Sequence, residues 1–205
     1  RGAGAQGARA DAGCGAKSPV NANIATVWKQ VTPALEQELV EFWREQQAIP
    51  NEDEARKRAD QAICVLRDQD GALAGVATAI VKVLPRLRQP MYYYRIYIAR
   101  SQRGREAFLP MVRESRQILQ DFNRGLERPE SLGLLFEIEN GKLGKAYPHA
   151  YEPTFDATFI GYSPRGKGLY VSYFADAMLQ TPAQIAVAPG HGGVRRNTNQ
   201  SLPAQ

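Results

Sequence analysis

The chain holds only two cysteines, Cys14 and Cys64, and two histidines, His149 and His191, among its 205 residues. One cysteine falls in a Gly/Ala-rich start and the other in an apolar, strand-like run. Neither a disulfide framework nor a zinc site is therefore expected. The histidines stand in loop-like and tail-like stretches, and no spacing with Cys64 or the acidic residues suggests a metal cluster or a Ser-His-Asp triad. No apolar run approaches the roughly 20 residues that cross a bilayer. The start lacks the hydrophobic centre of a signal peptide, which makes a reduced, cytoplasmic setting the expectation. Internal repeats are missing too.

What is present begins with charge. The net charge of +5 is modest but unevenly spread. Seven Lys or Arg residues and no carboxylate lie between Lys82 and Arg105, whereas 36–60 is rich in Asp and Glu. A local positive stretch in a nearly balanced chain fits an anionic ligand held at one place, or a solvated basic surface. The length suits one domain with a full core. Residues 1–23 and 181–205 lack apolar periodicity and read as flexible tails flanking a domain over 24–180.

Within that span, "ATVWKQV" alternates as a first strand. Thr32-Pro33 then supplies an N-cap and a proline at the first helical position, and Leu35, Leu39, Phe42 and Trp43 follow at helical spacing to about Gln47. "NEDEARKRADQA" places its carboxylates at the positive end of a second helix. "AICVLRD" and "ALAGVATAIVKVL" read as strands joined by the turn "DQDG", and "MYYYRIYIA" as a third long strand. A basic loop precedes a helix whose apolar face carries Met111, Ser115, Ile118, Leu119 and Phe122. Pro110 suggests that this helix begins near Leu109, since proline disrupts a helix interior by about 3 kcal/mol. "LGLLFEIE" is a strand, "NGKLGKAY" a short helix, and "ATFIGYS" and "GLYVSYF" a closing hairpin across "PRGK". The sum is an α/β (α+β) fold with a mixed sheet and helices on both faces.

This order resembles that of the GNAT superfamily of acyl-CoA-dependent N-acyltransferases, over roughly Thr26 to Ala175. Members end a central strand in an apolar residue and, five positions on, open a loop patterned Arg/Gln-x-x-Gly-x-Gly/Ala. Ile98 and Arg103 keep that spacing, while Glu106 and Phe108 occupy the two glycine positions. "ENGKLGKAY" supplies the Asn and Tyr that members often space by seven, as Asn140 and Tyr147, and "TFIGYSPRGKGLYVSYF" fits the late hairpin. The resemblance implies a mostly antiparallel mixed sheet, acetyl-CoA or another acyl-CoA as cofactor, and a small-molecule or peptide amine as acceptor. It implies that Ile98, Arg103, Gly104, Arg105 and Asn140 contact the cofactor and that Tyr147 is the acid. Glu106 brings a negative charge to the cradle, and like charges about 4 Å apart near a surface repel by roughly 4 kcal/mol.

The residues themselves add candidates. Acyl transfer to an amine needs a base for the ammonium proton. Glu137 and Glu139 share one strand face, either one a base or an ion-pair partner of Arg95 or another basic neighbour. On the central strand, Tyr92, Tyr94, Ile96 and Ile98 share one face, and Tyr93, Arg95 and Tyr97 the other. Tyr94 and Arg95 are candidates to line an acceptor pocket, though strand tyrosines also serve as packing. For Tyr147 the plainer role is packing beside Pro148. The same basic and aromatic stretch fits a second class of protein, one that binds an anionic partner such as nucleic acid without catalysis.

Overall fold

The computed structural model describes residues 23–138 and 147–183. In chain order its strands are β1 (Asn23–Thr26), β2 (Ala62–Arg67), β3 (Leu73–Val83), β4 (Pro90–Ile98), β5 (Gly133–Ile138), β6 (Tyr151–Glu152), β7 (Ala157–Tyr162) and β8 (Gly168–Tyr173). Its α-helices are α1 (Pro33–Glu45), α2 (Glu52–Ala59) and α3 (Arg105–Arg124). All eight strands join one sheet in the order β1-β2-β3-β4-β5-β8-β7-β6, antiparallel throughout except where β4 meets β5. This is the mixed sheet that the element order predicts, mostly antiparallel as the family resemblance implies.

Local chemistry sets the element ends. The Thr32 hydroxyl accepts from the Leu35 amide at 3.2 Å and the Asn51 side chain from the Glu54 amide at 2.8 Å, so both first-face helices start at side-chain caps. In the β2–β3 turn, the Asp68 carboxylate accepts from the amides of Asp70 and Ala72. Gly71 takes a positive φ of 84° there, a conformation that costs glycine little.

Packing divides the sheet into two faces. Leu39, Val40, Phe42 and Trp43 of α1 and Ala55 and Ala59 of α2 bury themselves against Val65 and Val76. On the other face, Met111, Val112 and Leu119 of α3 meet Cys64, Ala77, Tyr92, Tyr94 and Leu134. The period of two along β4 accordingly sends Tyr92, Tyr94 and Ile98 under α3 and turns Tyr97 towards α1.

Three elements differ from the sequence-based expectation. β1 ends at Thr26, because Lys29 adopts φ 60° and turns the chain. Val27 and Trp28 still alternate, one into each core. α3 begins at Arg105, not near Leu109, and holds Pro110 inside it. The first bond of the helix runs from the Phe108 amide to the Gly104 carbonyl at 3.1 Å. Pro110, half-buried, lies two residues further on, so it removes only the bond to the carbonyl of the exposed Glu106. The third difference is β6, a two-residue strand that lay in no predicted element. Of the expected helix over "NGKLGKAY", only Tyr147 is among the described residues, and it lies outside any helix. The expected tails lie outside them as well, apart from Asn23 in β1 and 181–183, where Ala183 exchanges two hydrogen bonds with Arg88. Among the described residues no helix is long and apolar enough to span a membrane.

Candidate active site at the parting of two parallel strands

β4 and β5 pair only over Tyr92–Tyr94 against Leu134–Phe136, although β4 continues to Ile98 and β5 to Ile138. Beyond Tyr94 the two strands part. The loop at the end of β4 makes a short 3-10 turn over Arg100–Gln102 and then enters α3 through Gly104. Gly104 is extended (φ 171°), and no side chain caps the helix. A Cβ built at Gly104 would meet nothing within 4 Å. The first amides of α3 thus precede any intrahelical bond, at the end of a 20-residue helix whose dipole favours an anion.

The residues expected to crowd this cradle do not fill it in the same way. Glu106 is exposed. Phe108 turns into an aromatic wall instead, 6.4 Å from the Tyr147 ring and 6.5 Å from Phe155. Tyr147 stands edge-on to Phe155 at 5.1 Å, and Phe155 lies 5.5 Å from Phe136, the last residue of β5 paired with β4. The wall therefore borders the parting on the α3 side. Arg103 folds back on its own strand, donating to the Ile98 carbonyl at 3.1 Å with its guanidinium over Tyr97. On the α1 side of the same end, a shallow depression of about 330 Å³ is lined by Glu45, Gln46, Gln47, Arg100 and Ser101.

On the face opposite α3, Glu137 accepts from the Tyr93 hydroxyl and from Arg165, each at 2.7 Å. Its side chain is only 8% exposed, against 59% for Arg165 on the β7–β8 turn. Burial by itself would raise the carboxyl pKa. The hydrogen bonds from Arg165 and Tyr93, the nearby Ser163 hydroxyl and the charge of Arg165 outweigh it and bring the value down from 4.5 to about 2. A depressed carboxylate pKa stabilises the fold above pH 4.5, and that contribution is lost as pH falls through 2. Chemical denaturation at pH 5 and again near pH 2 should show the wild type losing up to about 3 kcal/mol more than Glu137→Gln.

Arg95 donates to Gln61 at 2.6 Å and lies with its guanidinium 5.4 Å from the Tyr93 ring centroid. Tyr94 is a core residue. It is 4% exposed, and its hydroxyl meets the Ser115 hydroxyl at 3.4 Å, while the Cys64 thiol meets that Ser115 hydroxyl at 3.3 Å. Burial pushes the Tyr94 phenol up strongly and the Cys64 thiol to about 11, so neither offers an ionised group. Tyr94 leaves no surface for an acceptor, because α3 covers its face of β4.

No protein-family model and no curated protein matches the sequence. The structure, by contrast, is similar to that of a GNAT superfamily phosphinothricin acetyltransferase from Sinorhizobium meliloti, solved in complex with AcCoA. That similarity has a TM-score of 0.52 at 14% identity and covers 82% of this chain and 96% of that one. The chain has the GNAT fold. A GNAT-family acetyltransferase from Streptococcus pneumoniae is also similar, at TM-score 0.48 and 15% identity over 74% of this chain and 98% of that one.

On the GNAT fold the residues singled out in the sequence fall into two groups. Ile98, Arg103, Gly104 and the backbone of Arg105 gather at the end of β4, with Tyr147 beside the parting. Glu137 and Arg95 lie across the sheet, on either side of Tyr93. Glu139 and Asn140 are outside the described residues. Among the described residues no three His, Cys, Asp or Glu side chains are grouped to hold a metal ion. Sequence reasoning passed over Tyr93, Phe155 and Arg165. Tyr93 was within reach, because the alternation of β4 already set it beside Arg95. Arg165 comes to Glu137 from 28 positions away, which no local pattern encodes.

Proposed function

We propose that this chain is an N-acyltransferase that moves an acyl group, acetyl in the simplest case, from acyl-CoA to an amine. The observation that carries the reading is the uncapped N-terminus of α3 at the end of the one strand that parts from its parallel neighbour. Amides with neither an intrahelical acceptor nor a side-chain cap, at the positive end of a long helix, suit a diphosphate. The unpaired ladder edge of β4 beyond Tyr94 suits an extended, amide-bearing chain. Open space around Gly104 and the outward turn of Glu106 make the fit sterically and electrostatically tolerable, despite the missing glycines.

Gly104, Arg105 and the following amides would hold the diphosphate. Ile98 and Arg103 shape the end of the strand, and Asn140 is assigned a further contact by the family pattern. Acyl-CoA supplies, when bound, an acyl carbon activated as a thioester. An amine with a pKa near 10 must lose a proton before its nitrogen can form the new carbon–nitrogen bond. Glu137, directly or through water, or Glu139 in its place, takes that proton. Tyr147 would give one to the sulfur as the carbon–sulfur bond breaks and take back the second proton that the nitrogen sheds in becoming an amide, so that one proton is released overall. Arg165, with Tyr93, holds Glu137 at a pKa of about 2, which makes it a weak base while that pair is intact.

Release of free thiol from acetyl-CoA in the presence of a panel of amines tests the reading. Tyr147→Phe keeps the ring wall and removes only the hydroxyl. It is expected to lower kcat by about 100-fold with little change in melting temperature. Full activity in that variant would remove Tyr147 from the chemistry. Thiol release that needs no amine would remove the transferase reading.

A further inference from the structure

The transferase reading leaves the acceptor unspecified, and the face opposite α3 bears on it. Glu137 is more than nine-tenths buried, yet one of its oxygens, Oε1, accepts no hydrogen bond of good geometry. A buried carboxylate oxygen without a donor is costly, and a ligand ammonium is the donor that would satisfy it best. Oε2 of the same carboxylate holds the Tyr93 hydroxyl. Over the ring of that tyrosine lies the ammonium of Lys82, 4.2 Å from the centroid. Lys82 makes no ion pair with any carboxylate among the described residues, and its exposed position leaves it open to solvent. Arg95, which also donates to Gln61, adds a second positive charge beside the same ring.

One aromatic ring thus separates a carboxylate oxygen that accepts no hydrogen bond from an ammonium in no ion pair among the described residues. We infer that the acceptor is an ampholyte: its amine binds Glu137, and a separate anionic group, of carboxylate type, binds Lys82 across Tyr93. Burial, together with the charges of Arg95 and Arg165, lowers the Lys82 pKa against the opposing pull of Glu137. An acceptor with an amine alone would satisfy one end and leave Lys82 as it is. An acceptor with an anion alone would meet Glu137 with the wrong sign.

This inference deepens the acyltransferase reading and depends on it for the transfer, but not for acceptor binding. Binding is therefore measured first without cofactor, by calorimetry on the full chain with glycine, β-alanine and γ-aminobutyrate, against butylamine and butyrate. At least one amino acid should bind 10-fold or more tighter than both single-charge probes. Lys82→Met should bring its affinity down to that of butylamine, and Glu137→Gln should bring it down to that of butyrate. Butylamine binding as tightly as every amino acid, or none of the five probes binding, overturns the inference. In the thiol-release assay the same amino acid should be the preferred acceptor. Tight amino-acid binding with no thiol release would sink the transferase reading while leaving this binding site standing.

Discussion

Gly104→Asp is expected to make the free protein slightly more stable and to abolish its stabilisation by acetyl-CoA. Gly104 is the N-cap of α3, is extended, and has nothing within 4 Å of where its Cβ would be. An aspartate there can reach the free amides of the second and third helical residues without strain. Its gain over glycine at an N-cap is a few tenths of a kcal/mol. The same carboxylate would occupy the amides proposed for the diphosphate and place a negative charge among them. In the wild type, acetyl-CoA at 100 times its Kd should add about 2.7 kcal/mol, or a rise of roughly 5–10 °C in melting temperature for a chain of this size. In the variant that rise should vanish. A ligand-induced rise of the same size in both proteins would place the cofactor elsewhere. Arg103→Ala separates the side chain from the backbone: Arg103 already holds the Ile98 carbonyl, so the rise should shrink without vanishing.

Glu137→Gln should lower kcat/KM by 100- to 10,000-fold, the usual worth of a positioned general base. The amide keeps the shape and an acceptor for the Tyr93 hydroxyl but loses the charge that Arg165 holds at 2.7 Å. Arg165 is 59% exposed and can return to water, so the stability cost at neutral pH should not exceed the about 3 kcal/mol that acid titration removes, and the variant should fold. Arg165→Ala is the complement. Without its partner, the buried Glu137 carboxyl must titrate at higher pH, and the acidic limb of the kcat/KM profile should move up with it. An unchanged acidic limb in Arg165→Ala would show that Glu137 is not the group titrating there. Activity surviving in Glu137→Gln would pass the base role to Glu139.

The basic stretch from Lys82 to Arg105 shows how far one dimension of information reaches. Its seven positive charges are contiguous in the chain and divided in space. Arg86 and Arg88 donate to carbonyls of Ile160 and Ala183 near the start of β4, Lys82 and Arg95 flank Tyr93, and Arg103 closes over the far end of the strand. Composition could report the excess of charge but not which part faces a ligand. Pro110 carries the same lesson locally. The rule that proline avoids helix interiors shifted the expected start of α3 by a turn, whereas the packing of Met111, Val112 and Leu119 outweighed the one lost bond.

The sequence by itself determined the kind and order of the elements. Caps at Thr32 and Asn51, the Asp68 turn and the two side-chain periods act over a few residues, and each is written where it acts. From those periods it also followed that Tyr93 and Arg95 share a face and that Tyr94 takes the other. Only the tertiary structure decided that Tyr94 is covered by α3, that Arg165 and Tyr93 converge on Glu137, and that β4 and β5 part beyond Tyr94 and Phe136. Those outcomes depend on strand neighbours far apart in the chain, whose pairing is settled by the burial of both sheet faces together and not by any local preference of the residues concerned.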